Sequence, residues 1–450
     1  MAIRTPVSVP PGRFTALAGL TFFLLGLALP AIAVPLPTDE GTEERRIVVA
    51  IEEQPDPMLA NGSSPRGYAG LPTYSGTART RAAAKRLARD HALTEISAWT
   101  IEPLRVRCML YEIPASADRA SVLEALRSDP RVTLAQPLQT FTTLSAAEHS
   151  DDVAAPLPDA GYNDPYLGLQ TGFRSIGAGQ AQRWASGKNV SVALIDTGVD
   201  ARHPDLAGRI VEQRDFVGAA QGDPGRDRHG TEVAGIIAAV ANNGVGIVGI
   251  APSVELLSYR ACWPLEADAS SARCNSFTLA LALAEAIRSQ AQVINLSLGG
   301  PHDPLLDQLL EHAIARGTIV VGAVAADAEV QGFPIGTEGV IAVDSSGADP
   351  PGSAATLHAP GVEILTLEPG GSYDYASGSS LATAHVTGAV ALLLQLAPTL
   401  DETGVVAILR DSARQHGGPI HACFAVRAAT GQDDACDGEL QARRPTHAPR

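Results

Sequence analysis

The chain has 450 residues, 45% of them apolar and only 4% aromatic, with a formal net charge of −16. That length allows a large aliphatic core and more than one domain. The acidic balance and the lack of a basic block exclude nucleic acid as a partner.

Residues 1–33 read as an export signal. Arg4 and Arg13 precede an apolar stretch from Phe14 to Leu29, and Ala31-Ile32-Ala33 fits a small-residue cleavage site. The stretch falls short of the roughly 20 residues that span a bilayer. A secreted or periplasmic protein is therefore expected, with no membrane association once the signal is removed. Export permits disulfides. Cys262 and Cys274 are close in sequence, as are Cys423 and Cys436, so two local pairs are the simplest pairing. Cys108 is then odd, which is harmless if its segment is removed on maturation.

After a polar linker, residues 45–140 read as a small α+β domain. Arg46 to Ile51 is a strand and Thr77 to Leu93 a basic helix. Strands follow near Trp99 to Ile101 and over Val106 to Ile113. Asp118 to Ser128 is a helix with Val122, Leu123 and Leu126 on one face, and Val132 to Pro137 closes with a strand. The order β-α-β-β-α-β is that of a split βαβ unit. Residues 141–165 are polar, carry Pro156 and Pro158, and read as an exposed linker or maturation region.

Residues 166–415 alternate strands and helices. Asn189 to Ile195 is nearly all apolar, as befits a strand covered on both faces, and LLSYRA, VINLSL, TIVVGAV and VIAV repeat that character. One helix starts with Asp303 as N-cap and Pro304 behind it, and stops at Gly317. The fold class is α/β, with a doubly wound parallel sheet whose functional residues gather beyond the carboxyl ends of the strands. Residues 416–450 form an extension that carries the second cysteine pair.

Three stretches can carry chemistry. VALIDTGVD puts Asp196 just past a strand end, and DRHGTEVAG puts His229 just before a helix. ASGSSLATAHVTGAVALLL crowds hydroxyls ahead of an apolar helix, more than one cap needs. DTG is also an aspartic-protease signature; that chemistry needs a second aspartate, for which Asp344 is the nearest candidate.

In register, IDTGVD, HGTEVAG and SGSSLATAHVTG resemble subtilisin-like serine proteases (peptidase family S8), with support from NDPYLGLQ, INLSLGG and LHAPGVEIL. The resemblance covers roughly Asn163 to Pro398. It implies an exported, monomeric serine endopeptidase made as a zymogen, with peptide or protein substrates and no cofactor needed for the chemistry. Asp196, His229 and Ser380 would be the catalytic triad. Leu298, Gly299 and Gly300 would be the substrate-binding edge, where glycines let a peptide pair as an added strand. Asp205 and Asn243 match positions that ligate a structural calcium ion in the family. The domain at 45–140 would be an inhibitor-type propeptide, with Val132 to Phe141 running toward the active site and self-cleavage between Leu138 and Asp164. One departure matters: the family's oxyanion asparagine falls on Ala326, which has no side-chain donor. A pseudoprotease, keeping the fold with little catalysis, is the alternative.

Overall fold

The computed structural model describes residues 43–53, 77–145, 161–218, 221–265, 269, 271–325, 332–345, 356–431 and 436. The expected signal segment, most of the expected linker and Ala326 lie outside these residues.

The N-terminal layer is built from β1 (Arg46–Glu52), α1 (Ala78–Asp90), β2 (Thr94–Ile101), β3 (Val106–Glu112), α2 (Arg119–Arg127) and β4 (Val132–Pro137). Thr77 and Asp118 cap the two helices through their side-chain oxygens. The strands form an antiparallel sheet in the order β2-β3-β1-β4. The run RIVVAI is apolar at consecutive positions because both faces of β1 are covered. Ile47, Val49 and Ile51 pack with Leu87 of α1 and with Leu123 and Leu126 of α2. Val48 and Ala50 face the opposite way, toward the large domain.

Next come β5 (Thr140–Thr143), β6 (Ser191–Asp196), β7 (Ile210–Asp215), α3 (Arg228–Ala238), β8 (Glu255–Arg260), β9 (Cys262–Pro264), β10 (Ala272–Asn275), α4 (Ser276–Arg288), β11 (Val293–Leu296), β12 (Leu298–Gly299) and α5 (Pro304–Ala315). The chain continues through β13 (Ile319–Ala323), β14 (Val340–Asp344), β15 (Leu357–His358), β16 (Ile364–Glu368), β17 (Ser372–Ala376), α6 (Ser379–Leu396), α7 (Glu402–His416) and α8 (Ala422–Thr430). Seven strands form the main parallel sheet, in the order β15-β14-β13-β11-β6-β8-β7.

Alternation along β6 serves two cores. Val192 and Leu194 pack with Val233 and Ile237 of α3 and with Leu381 and Val390 of α6. Ala193 and Ile195 pack on the other side with Leu279 and Leu283 of α4 and Leu306 of α5. Helix α6 is apolar and long enough to cross a membrane, yet it lies buried in the first of these cores. The strand order reverses direction between β6 and β11, which places the site at the switch point of the sheet.

The N-terminal layer rests on α4 and α5. Trp99 meets Phe277 edge-on at a ring distance of 4.5 Å, and Cys108, Leu110 and Leu138 share the same apolar cluster. Polar contacts finish the helix ends: the Leu305 N–H donates to Gln136 at 3.2 Å, and the Gln139 N–H to Ser276 Oγ at 2.9 Å. Both expected disulfides form, Cys262–Cys274 and Cys423–Cys436. Cys108 is a buried free thiol, and burial pushes its pKa well above the ordinary range.

Two expectations at segment boundaries are corrected. The linker assigned to 141–165 does not begin as one, because Thr140–Thr143 is a strand hydrogen-bonded on both edges. Its partners come from about 130 or more residues later in the chain, so its own composition could not reveal them. His229 lies within the first turn of α3, one residue past Arg228, and not ahead of the helix.

Candidate active site

Asp196 closes β6, and His229 sits in the first turn of α3. The His229 Nδ1 lies 2.7 Å from Asp196 Oδ1, and both side chains are fully buried. The same carboxylate oxygen accepts from the Thr197 N–H at 2.6 Å, which fixes its direction. Gly230 allows this approach: a Cβ there would meet the Thr197 carbonyl. Asp227, the N-cap residue of α3, is held in place by Arg260 at 2.7 Å and accepts from the Gly198 N–H at 2.8 Å. His229 Nε2 has no hydrogen-bond partner among the described residues.

Burial opposes a charged imidazole at His229. The Asp196 carboxylate outweighs it, Glu232 adds to the effect, and the pKa rises above the ordinary 6.5. Glu232 occupies the next turn of α3, fully buried, and Arg228 holds it at 2.6 Å. Arg228 also binds Glu368 at 2.6 Å and Asp374 at 3.2 Å. Two results are expected here. Arg228→Ala strands the buried Glu232 carboxylate and lowers unfolding free energy by roughly 3 kcal/mol, read by chemical denaturation. Glu232→Gln removes a negative charge near the imidazole, so the ascending limb of kcat/KM moves to lower pH. A limb that stays put or moves up would sever Glu232 from His229.

Ser380 lies in the first turn of α6. Its neighbours have structural tasks. Ser379 Oγ donates to the Val324 carbonyl at 2.6 Å, and Ser377 Oγ accepts from the Glu363 N–H at 2.9 Å. His385 pairs with the Leu381 carbonyl inside the helix, and burial pushes its pKa down to about 4. Ser380 Oγ instead lies 3.0 Å from Ser145 Oγ. The aspartic alternative fails on topology: Asp344 ends β14, three strands from β6, which is ~14 Å at ordinary strand spacing.

The cleft is filled by the chain itself. β5 lies between β12 and β10, antiparallel to both. Thr142 stands opposite Gly299 and Arg273, Thr143 opposite Leu298, and Phe141 opposite Cys274. The Leu144 N–H donates to the Ser297 carbonyl at 3.3 Å. The Leu144 carbonyl accepts from the Ser380 N–H at 3.3 Å, and Ser145 Oγ lies 3.0 Å from Ser380 Oγ. Two glycines make room. Gly378 has φ +153°, and a Cβ there would strike the Leu144 carbonyl; a Cβ on Gly300 would strike the Phe141 ring. Phe141 is buried against Phe333, with ring centroids 5.5 Å apart. The structure brings the expected residues Leu298 and Gly299 against β5 and ends the expected run toward the site at Phe141 inside that strand, while the pairing with β10 and the places of Leu144 and Ser145 were not foreseen. The alternation in TFTTL was the available signal.

The position expected for an oxyanion donor, Ala326, lies outside the described residues. Its neighbour Ala325 faces Gly299 at the cleft, within 3.8 Å of where a Gly299 Cβ would stand.

Asp205 and Asn243 come together, but as a hydrogen-bonded pair. Asn243 Nδ2 donates to Asp205 Oδ1 at 2.7 Å and the Ile247 N–H to Oδ2 at 2.9 Å, while the Tyr373 hydroxyl adds a third contact. Asn243 Oδ1 is itself taken by the Val245 N–H at 2.9 Å. Nearby Asp164 accepts from the backbone of Asn242 at 2.8 Å and of Asn243 at 3.3 Å. Burial pushes the Asp205 carboxyl up against these donors. Calcium takes six to eight oxygens. Asp205 and Asn243 supply three side-chain oxygens, fewer than that demand, and no step below involves a metal.

Comparison with known proteins places these features in context. The model of the Subtilase family matches residues 187–437, a span that includes α8 and the Cys423–Cys436 pair. A thermophilic serine proteinase of Bacillus sp. strain AK1 is 35% identical over 283 residues, covering 61% of this chain and 66% of that protein. Thermitase of Thermoactinomyces vulgaris is 37% identical over 241 residues, covering 51% of this chain and 84% of thermitase. The chain thus spans just under two thirds of the first relative and more of the second. Among solved structures, fervidolysin of Fervidobacterium pennivorans, described as a keratinolytic enzyme related to subtilisin, matches with a TM-score of 0.65. It is 21% identical, with 85% of this chain and 61% of that one covered, so the likeness is one of fold.

Proposed function

The chain belongs to the subtilase family, whose model spans more than half of it, and from that premise we propose that it is a serine endopeptidase made as a self-inhibited precursor that cuts its own Leu144–Ser145 bond. The observation that carries this reading is the Leu144 carbonyl at the Ser380 N–H, with Ser145 against the Ser380 hydroxyl.

In the proposed reaction Ser380 Oγ attacks the Leu144 carbonyl carbon while His229 Nε2 takes the hydroxyl proton. Asp196 fixes the imidazole tautomer and stabilises the imidazolium. The oxyanion forms where the Ser380 N–H already points. His229 then passes its proton to the Ser145 nitrogen, the peptide bond breaks, and Leu144 remains as an ester on Ser380. Water, deprotonated by His229, hydrolyses that ester and restores the serine.

The cut N-terminal segment keeps its grip through β5 and through the Trp99–Phe277 cluster, and so acts as an inhibitor until it departs. Substrate peptides would take the same place between β10 and β12. Export fits the charged and apolar N-terminus and the two disulfides, which persist in oxidising compartments. The mature polypeptide is expected to begin at Ser145, with Ser380 as the residue labelled by a fluorophosphonate. N-terminal sequencing and peptide mass spectrometry read both. A mature N-terminus elsewhere overturns the assigned bond, and a folded, cut chain with unlabelled Ser380 favours the pseudoprotease.

A further inference from the structure

The Cys262–Cys274 disulfide is part of the cleft wall. Cys274 stands opposite Cys262 in the β9–β10 pair, and on its other edge opposite Phe141 of the strand that fills the cleft. One residue therefore carries both the covalent tie and the backbone that receives a bound chain. Both cysteines are fully buried. The tie leads straight back to the catalytic frame. The Ala261 N–H, next to Cys262, donates to the Asp196 carbonyl at 2.8 Å. Arg260, one residue earlier, holds the N-cap residue of the helix that carries His229.

We infer that this disulfide is a positioning element for substrate, holding β10 in the register that receives the third to fifth residues before the cut bond and thereby setting KM for extended peptides. The inference rests on the peptidase reading above.

The physical reason is the weakness of the ribbon without its occupant. Once β5 leaves, β9 and β10 form a two-stranded ribbon with three opposed pairs: Ala272 with Pro264, Arg273 with Trp263, and Cys274 with Cys262. Two-stranded ribbons are marginal in water, and Pro264 has no N–H to give. Below the ribbon, Asn275 caps α4 through a capping box and holds the C-terminal end of β10. Above it, Trp263 packs on Val217. Between these points the disulfide is the covalent restraint. If it is lost, the edge shifts or frays, and the hydrogen bonds of strand addition are lost while the triad stays in place.

The test separates this role from a general contribution to stability. Full-length protein is matured, and its active sites are counted with a fluorophosphonate. C262A/C274A is compared with wild type on two substrates, acetyl-Phe-Thr-Thr-Leu anilide, which reaches the β10 positions Arg273 and Cys274, and acetyl-Leu methyl ester, which touches only the first position. The ratio of their kcat/KM values is expected to fall about tenfold, through KM of the anilide, the equivalent of one or two weakened hydrogen bonds. C423A/C436A should keep the wild-type ratio. An unchanged ratio in C262A/C274A, or an equal loss on both substrates, overturns the inference. If C262A/C274A does not fold, the ratio is measured on mature C423A/C436A before and after phosphine reduction. A fall that reverses on reoxidation supports the inference, and a constant ratio overturns it. Binding of the product acid acetyl-Phe-Thr-Thr-Leu is measured in parallel. If nothing is hydrolysed, the peptidase reading fails, yet a tenfold weaker Kd without the disulfide still supports the positioning role and an equal Kd still overturns it.

Discussion

Ser380→Ala is expected to arrest the chain as an uncut precursor and to lower peptide hydrolysis by about six orders of magnitude. In subtilisin, a member of this family, loss of the serine or the histidine costs roughly 2 × 10⁶ in kcat. Two features of this site argue for an effect of that order. The other hydroxyls around the start of α6 are committed elsewhere, Ser379 to the Val324 carbonyl and Ser377 to the Glu363 N–H. His385, the histidine on the same helix, is buried and bonded to Leu381. Neither of these serines nor His385 is poised to replace the lost nucleophile. The fold should survive, because Ser380 Oγ pairs with Ser145 Oγ and not with a core group. The variant is expressed in a host free of proteases able to cut the linker and sized by mass spectrometry. Normal maturation there would show that cleavage at Leu144–Ser145 is not the chain's own work.

Ala326→Asn is expected to raise turnover. Under the proposed mechanism the Ser380 N–H, which donates to the Leu144 carbonyl at 3.3 Å, is the oxyanion donor found among the described residues. An asparagine side chain at this position is worth about 10²–10³ in kcat, or about 2.7–4 kcal/mol, in subtilisin, where the value was measured by removing it. Alanine offers no donor, and Asp327, the next residue in sequence, carries a carboxylate and not an amide. Restoring asparagine should therefore recover part of that factor in kcat with little change in KM, since the interaction is made mainly in the transition state. An equal or lower kcat in correctly matured A326N would mean that another donor already fills the hole, or that the asparagine position is misassigned.

The sequence revealed those parts of the site that are local. VALID ends in Asp196 because an apolar run covered on both faces is legible as a buried strand, and the turn after it is marked by Gly198. Asp303 and Pro304 marked the start of α5 in the same way, since caps are chemical and short-range. The strand at Thr140–Thr143 was hidden for the opposite reason. Threonine-rich and followed by a polar stretch, it owes its structure to Arg273 and Gly299, which only the folded chain brings near. The motif matches single out Asp205 and Asn243, which the fold brings together, but which partner each side chain faces depends on Ile247, Val245 and Tyr373. The covalent wall at Cys274 was legible as a disulfide but not as part of the cleft, because loop spacing says nothing about what lies on the far side of a strand.

β5 is an inner strand of a four-stranded sheet whose other members belong to the large domain. Its departure after the proposed cut would leave a slot one strand wide between the facing edges of β12 and β10. An incoming polypeptide would have to surrender its own backbone hydrogen bonds over several residues before it could enter. Native helices, and strands already paired inside a folded domain, cannot do so without opening first. For an intact protein target, the population of locally opened states would then set the rate of attack more than the residues flanking the cut. Such a slot would sort proteins by mechanical looseness, sparing well-packed domains and trimming frayed termini and long loops.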